Sequence, residues 1–598
     1  MKAVSTTINP ANSVEAVEAE PRASVVVTAE MVMYAAILGV AAILRLWNLA
    51  ASPLSAREAA QAIAAFDGVS MPPGGSPVLF GINQVLFGLF GATVTDGGVR
   101  LAAAVIGTIM VLLPFLFRSH IGRYGALGAA LMLAVSPTLV AASRSLDGSI
   151  VAAACALATI GFGLRYFTMQ KRIDLIGLAI AIGLGLTSGP GLITIGLVLL
   201  PALSIVYYWI ASDEDRARVQ QLRREAHTWR DALLIGGVTC LLAATGLFLR
   251  PTGLANVPES MSAWLGAWSA LDSIGALRLF QILIVYEPLI VFFGLAGLFM
   301  SLRRVSGLIM LLSVWTIGAF MVALLQPGRQ VLDLVLVLTP LALLGGVLID
   351  RLAHDLEQHG AWKAEGLFWL VAAVVLGFVA INAAQTATGI VSSGLVLGMP
   401  LSSSWSLSLG TLLLAVVIGA VFVLLIGWQA TLRAATVTLF VLLAVISFSS
   451  AWNLTQMRAG NPRELMWGPT TTSLEVSALR EAIEAASKRR TGFLDQARVA
   501  VTLPQDDPVI RWTLRNFKQA QYNAVVSDLA PIIVAPQGST FPPFVPDAYQ
   551  GMPFHTETLW EPSQLTDNDL LRWWFYRESD SAPLPVKTYV VWVKLNQE

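Results

Sequence analysis

Residues Leu44 to Gly68 read LRLWNLAASPLSAREAAQAIAAFDG. An apolar helix ends in this stretch, Pro53 breaks it, and an Ala-rich helix restarts with Arg57 and Glu58 in its first turn. Ser55 stands three residues before Glu58, the spacing of a capping box in which each side chain satisfies a free backbone N–H of the new helix. A chain that leaves an apolar span and at once restarts a capped helix holds its charged pair at a membrane surface.

The rest of the sequence fits that reading. Of 598 residues, 56% are hydrophobic and 13% charged, and the mean hydropathy is +0.69, a balance that marks a multi-span membrane protein rather than a water-soluble domain. The formal net charge of +0 gives no reason to expect nucleic acid as a partner. Cys155 and Cys240 both fall in apolar spans, which argues against a disulfide framework or a thiolate metal site. The five histidines lack ligand spacing, so no histidine metal centre is expected.

Residues 1–28 are polar and poor in aromatics, without the basic start and short apolar core of a signal peptide, and read as a disordered cytoplasmic tail. Spans are predicted at 31–49, 98–118, 123–141, 148–167, 172–187, 190–211, 231–250, 279–301, 306–325, 330–349, 366–388, 405–428 and 431–452. Each is close to the ~20 residues that cross ~30 Å of hydrocarbon. The transmembrane region is thus 29–452, with a first external loop at 50–97. The apolar run 77–91, PVLFGINQVLFGLFG, is short for a span and is read as lying flat in the interface. With that reading the loops after even-numbered spans hold fifteen Lys and Arg residues against six in the opposite set. This positive-inside bias puts the N-terminus in the cytoplasm and the 50–97 loop outside. The breaks at Ser188, Gly189 and Pro190 are read as a tight hairpin between two spans.

After Trp452 the composition becomes that of a soluble protein, and 453–598 are expected to form a small extracytoplasmic α/β domain. RVAVTL (498–503), PIIVAP (531–536) and KTYVVWVKL (587–595) read as strands, whereas 473–490, DPVIRWTLRNF and TDNDLLRWWFYRE read as helices. The aromatics of LLRWWFYRE (570–578) sit at helical spacing and are expected to build core rather than stack on a ligand.

Four stretches then carry a resemblance. RLWNL…PLSAREAAQA, SPVLFGINQVLFGLFG, RLAAAVIGTIMVLLPFLF and LAVSPTLVAASRSLDGSI follow in that order. Over roughly the first 170 residues the series resembles bacterial polyprenyl-phosphate-dependent glycosyltransferases of the GT-C superfamily, of family 39 or the aminoarabinose-transferase-like group. The resemblance implies an all-α polytopic GT-C-like bundle, here of about thirteen helices, in the cell membrane. It also implies transfer of a sugar from a polyprenyl-phosphate donor to a lipid, glycan or protein acceptor on the outer face. In that family an Asp-Glu pair lies in the first external loop and its Asp is the catalytic base. The matching positions here are Arg57 and Glu58, so either Glu58 takes the role or the chemistry is altered or lost. A Lys that commonly precedes the interfacial helix and contacts the donor phosphate is replaced by Gly74, Gly75, Ser76 and Pro77.

Displacing a polyprenyl phosphate needs a carboxylate to accept a proton and cations to hold the leaving phosphate. The expected catalytic residues are therefore Glu58 and Asp147, with Arg57, Arg144, Glu287 and Arg329 in substrate binding. Arg144 and Asp147 stand three apart between two spans, where the family has a second charged pair; a plain ion pair at a helix start is the structural alternative. For Arg57 and Glu58 that alternative is a solvated first turn. Glu287 lies about eight residues into a span beside Pro288, where ionisable groups point to function unless an internal partner neutralises them. Arg329 follows Pro327 and Gly328 and offers a planar fork to phosphate, or a snorkelling side chain. No cofactor is required by this reading, and a divalent metal stays open. Two other classes remain: a catalytically silent relative that binds lipid-linked glycan or scaffolds envelope enzymes, and a transporter, which the odd span count and large external domain disfavour.

Overall fold

The computed structural model describes residues 28–224, 226–270, 274–301, 306–359, 362–387, 395–396, 399–400, 404–468, 470–502, 507–522, 530–538, 549–565 and 569–595. The tail expected over 1–28 lies outside these residues except for its last position. Among the described residues, seven helices are long and apolar enough to cross a membrane, or nine if each of two bent pairs counts as one span. The protein is thus a largely helical multi-span chain, and nine is short of the thirteen spans expected. The other four expected spans fall on the helices Arg172–Gly185, Ala226–Ala244, Trp362–Ala387 and Ser404–Ile426, which are outside that set. Arg172–Gly185 has only 14 residues, or ~21 Å of helix.

Helices meet closely where side chains are small. A methyl group on Gly294 would lie 2.7 Å from the Leu341 carbonyl, and one on Gly297 2.1 Å from that of Leu344. Glycine at these two positions lets the helix Pro288–Ser301 lie against the backbone of Val335–His359, as small residues do between membrane helices.

The two bent pairs share one electrostatic joint. Arg123–Val135 and Pro137–Ser143 meet at 63°, and Ala276–Tyr286 and Pro288–Ser301 at 97°. Each bend falls at a proline, which cannot donate to the turn before it. At the first bend Arg45 donates to the carbonyls of Leu133 (2.8 Å) and Ala134 (2.9 Å). Glu287, at the second bend, accepts from the Ser136 hydroxyl and the Thr138 N–H, both at 2.7 Å. A cation thus faces the open carbonyl end of one half-helix and an acid the open N–H end of the other, the placement that helix dipoles favour. Both side chains are 1% exposed.

Beyond the helices, a six-stranded sheet runs in the order Thr470–Thr472, Tyr549–Leu559, Leu584–Lys594, Ile532–Pro536, Val499–Val501, Ala520–Tyr522. Val499–Val501 is parallel to both its neighbours, and the remaining pairs are antiparallel. Strands thus lie within or across the three runs read as strands, and three more join them. The helices Glu475–Thr491, Pro508–Thr513 and Asp569–Tyr576 accompany the sheet. Leu479, Ile483, Val499, Val534 and Val591 are among the residues of its core. Trp573, in the Trp-rich helix, is buried and stacks on Trp560 at 5.8 Å.

Among the described residues two groups of polar contacts, besides the packing of Asp569–Tyr576 on Trp362–Ala387, join the sheet unit to the helical bundle. Trp512 Nε1 donates to Asp96 (2.9 Å), Arg511 to Asp67 (2.7 Å) and Arg515 to the Val94 carbonyl (2.9 Å). At the second, Arg577 and the Tyr286 hydroxyl both donate to Glu464, and the Arg577 guanidinium lies over the Tyr286 and Trp573 rings.

Candidate active site

The capped helix forms as its sequence requires. Glu58 N–H donates to Ser55 Oγ at 3.3 Å, and Ser55 N–H donates back to Glu58 Oε2 at 2.9 Å, opening the helix Ala56–Asp67. The carboxylate does much more than cap. Oε1 accepts from Arg100 Nε at 2.9 Å and Leu146 N–H at 3.2 Å. Oε2 accepts from Arg100 Nη2 at 2.8 Å and the Ser55 hydroxyl at 3.0 Å besides the cap. Five donors meet a group with about four lone-pair directions. Burial alone would raise its pKa, but the charge and hydrogen bonds of Arg100, with those of Ser55, hold the carboxyl below the usual glutamate range. Glu58 therefore faces inward as the hub of a buried ion pair, with both oxygens already accepting hydrogen bonds.

Three of the expected cations or acids likewise satisfy backbone at helix ends. Arg144 donates to the carbonyls of Leu44, Arg45, Trp47 and Asn48, where the first helix ends. Arg329 donates to those of Ala323 and Leu324 at the end of Gly307–Leu325, and to that of Ile274. Glu287 belongs to the bent-helix joint, at the far end of Pro137–Ser143 from Arg144.

Arg57 and Asp147 are arranged differently. Arg57 is exposed, and its Nη1 donates to Gln330 Oε1. Gln330 opens the turn Val331–Leu334, with its N–H donating to Asp333 Oδ2 at 2.7 Å. Asp333 is half-buried and lies within the electrostatic reach of both Arg57 and Asp147. Asp147, also half-buried, accepts from Ser149 N–H through Oδ1 at 2.7 Å. Hydrogen bonds thus link Arg57, Gln330 and Asp333, and Asp147 lies within electrostatic reach of Asp333, which makes one charged cluster, the mouth. Of the six residues expected from the sequence the structure brings two there. Gln330 and Asp333 went unread, although their three-residue spacing before an apolar span repeats that of Ser55 and Glu58.

The loop before Pro77–Phe90 forms the rim. Gly74 has φ +79, and a methyl group on it would stand 3.2 Å from Arg57 Nη2. The Arg57 guanidinium thus reaches the loop in which the expected lysine is missing. Val78 N–H donates to the Thr187 carbonyl at 3.0 Å, and a methyl on Gly148 would lie 2.1 Å from the Ser188 carbonyl. These contacts close the 74–78 loop, the turn at Asp147 and the 187–189 turn on one another. A groove of about 860 Å³ lies instead at the other end of Ser149–Met169, lined by Tyr166, Phe167, Leu222 and Trp229 among others, and no carboxylate of the described residues lines it. Among the described residues no three His, Cys, Asp or Glu side chains are grouped to hold a metal.

Against known proteins, no curated sequence matches. Among solved structures, ArnT from Cupriavidus metallidurans in the apo state is 17% identical, covers 81% of this chain and 84% of its own, and has a TM-score of 0.48. The same protein bound to undecaprenyl phosphate gives 16%, 85%, 93% and 0.48. The Archaeoglobus fulgidus oligosaccharyltransferase tethered with an acceptor peptide gives 12%, 83%, 64% and 0.42. A family described as dolichyl-phosphate-mannose-protein mannosyltransferase matches residues 71–240, the stretch from the rim loop past Asp147. The chain therefore resembles the GT-C glycosyltransferases, the resemblance first drawn from its opening 170 residues.

Proposed function

We propose that this protein is a membrane glycosyltransferase that takes a sugar from a polyprenyl-phosphate donor and passes it to a lipid, glycan or protein acceptor on the outer face of the membrane. The observation that carries this reading is the placement of Arg57. Its guanidinium lies against Gly74, in the loop where the resembling family has a phosphate-binding lysine, and within electrostatic reach of the half-buried Asp333, which Asp147 also reaches. In this reading Arg57 supplies the missing phosphate contact from another element. Asp147 accepts the proton of the acceptor hydroxyl through its second oxygen. Glu58, Arg144, Arg329 and Glu287 keep the frame in shape.

The reaction follows from those roles. The acceptor oxygen attacks C1 of the sugar, the C1–O bond to phosphate breaks with its electron pair on the phosphate oxygen, and the acceptor proton passes to Asp147. Arg57 stabilises the charge that grows on the leaving phosphate. In this reading the charged cluster faces outward, as the loop charge bias requires, and the sheet unit, which contacts Asp67 and Asp96 beside it, lies on the same side of the membrane. The run 77–91 lies flat beside the cluster.

Incubating the purified chain with radiolabelled polyprenyl-phosphate sugars and envelope lipids tests this. Transfer is expected, and Asp147→Asn should lower its rate by ~10² to 10⁴, the usual loss with a general base. The Arg at the family's usual base position and the closed coordination of Glu58 favour one second reading, a silent relative that holds the lipid. Binding of the lipid without transfer of any sugar supports that reading instead.

A further inference from the structure

The mouth joins one cation and two carboxylates from three elements: Arg57 from the helix Ala56–Asp67, Asp147 from the turn before Ser149–Met169, and Asp333 from the turn Val331–Leu334. The other charges packed around them are closed off. Glu58 and Arg100 neutralise each other at 2.8 Å. Arg144 and Arg329 point their guanidinium groups at backbone carbonyls. One arginine and two aspartates leave a formal charge of +1 − 2 = −1.

That sign bears on which phosphate the mouth retains. A polyprenyl-phosphate sugar is a phosphodiester with one negative charge. The polyprenyl phosphate left after transfer is a monoester that loses a second proton near pH ~6. A single guanidinium can match the first, whereas two nearby carboxylates oppose the second.

We infer that Asp147 and Asp333 discriminate the spent lipid from the donor by charge, so that the product is expelled once the sugar has moved. The inference rests on the glycosyltransferase reading and names Asp333 as a residue of that site. It also gives the order of events. When the C1–O bond breaks, the electron pair adds a charge to the phosphate, while the acceptor proton neutralises Asp147. The product is then tolerated. When Asp147 returns its proton to water, two carboxylates face a dianion, and repulsion drives the lipid out. Asp147 and Asp333 are half-buried, so such repulsion is screened less than between fully exposed charges.

The test uses the full-length protein in nanodiscs and two probes, a polyprenyl phosphate monoester and its methyl phosphodiester, with dissociation constants measured at pH 5.5 and pH 8. The diester keeps one charge throughout and reports any titration of the protein itself. Binding of the monoester is expected to weaken by about three- to tenfold relative to the diester between the two pH values. Asp333→Asn and Asp147→Asn keep an oxygen for the N–H of Gln330 and Ser149 and remove one charge each. In either variant the relative loss should fall to about twofold or less, and high salt should shrink it in the wild type. A monoester that binds equally well or better at pH 8, judged against the diester, overturns the inference in the wild-type protein alone, whether or not a variant folds. If neither probe binds, the donor reading itself fails.

Discussion

Glu58→Gln separates a frame residue from a catalytic one. The change keeps the length of the side chain and an oxygen for the cap, but it leaves the Arg100 guanidinium, 4% exposed as a residue, without its counter-charge. Both side chains of the pair are under a tenth exposed, so little solvent screening lessens the loss. Removing one partner of a buried pair typically costs ~3 to 5 kcal/mol, because the other charge stays desolvated. Arg100 also donates to the carbonyls of Leu49, Ser52 and Pro53, and these contacts temper the loss toward ~3 kcal/mol. Unfolding in detergent, followed by tryptophan fluorescence, should show it. Glu58→Gln/Arg100→Met should recover part of it, since no charge is then stranded. The pH dependence has a fixed sign. The folded carboxyl titrates below its unfolded value of ~4.3, so the pair's contribution is complete above that pH and disappears as the pH falls through the depressed folded value. The gap between wild type and Glu58→Gln should therefore close in acid. A variant within ~0.5 kcal/mol of wild type at pH 7, with turnover alone lost, would refute the frame role and restore Glu58 as the base.

Arg57→Ala should weaken polyprenyl-phosphate binding by ~1 to 3 kcal/mol, as loss of a charge-assisted contact does, and by more at low salt; equilibrium binding to nanodiscs at two ionic strengths reads both. Gly74→Ala should lower the same affinity without touching a charge, because φ +79 and the 3.2 Å approach to Arg57 both resist a side chain; unchanged binding and stability would show that the rim does not set Arg57. Trp512→Ala removes the hydrogen bond to Asp96 and the edge contact with Phe87 at 6.0 Å, and limited proteolysis should then cut the sheet unit faster. For topology, with Cys155 and Cys240 replaced, cysteines at the exposed positions Ser119 and Ser477 should respond oppositely in intact cells. Position 477 should react with an impermeant reagent and position 119 should not; the reverse would invert the chain.

The readable part of this molecule is the local part. The capping box at Ser55, the apolar helices and the charge at positions 57 and 147 depend on neighbours a few residues away, and periodicity reports them. The use of each charge depends on distant partners. Glu58 meets Arg100 from 42 residues off, and Arg57 meets Gln330 from 273 residues off, separations that no spacing rule records. Glu287 reads as a buried acid in need of a ligand because its partner is the open end of another helix, created by Pro137. The strand Tyr549–Leu559 escaped notice because Gly551 and Pro553 interrupt its alternation; Trp592 of the next strand packs over Gly551 instead.

The arginines that end helices alter what a count of loop charges means in the proposed orientation. Of the six outward residues, Arg100, Arg144, Arg278 and Arg329 all donate to carbonyls inside the fold. While the chain is being threaded into the membrane none of those carbonyls is in place, and all six weigh against export of their loops. Once folded, Arg57 and Arg250 are the two whose guanidinium groups no backbone carbonyl takes up among the described residues, and Arg57 meets the side-chain amide of Gln330 instead. The sequence therefore meets its topological resistance early, from charges that the finished surface does not display, and the outer rim of the mature protein is far less basic than its loops.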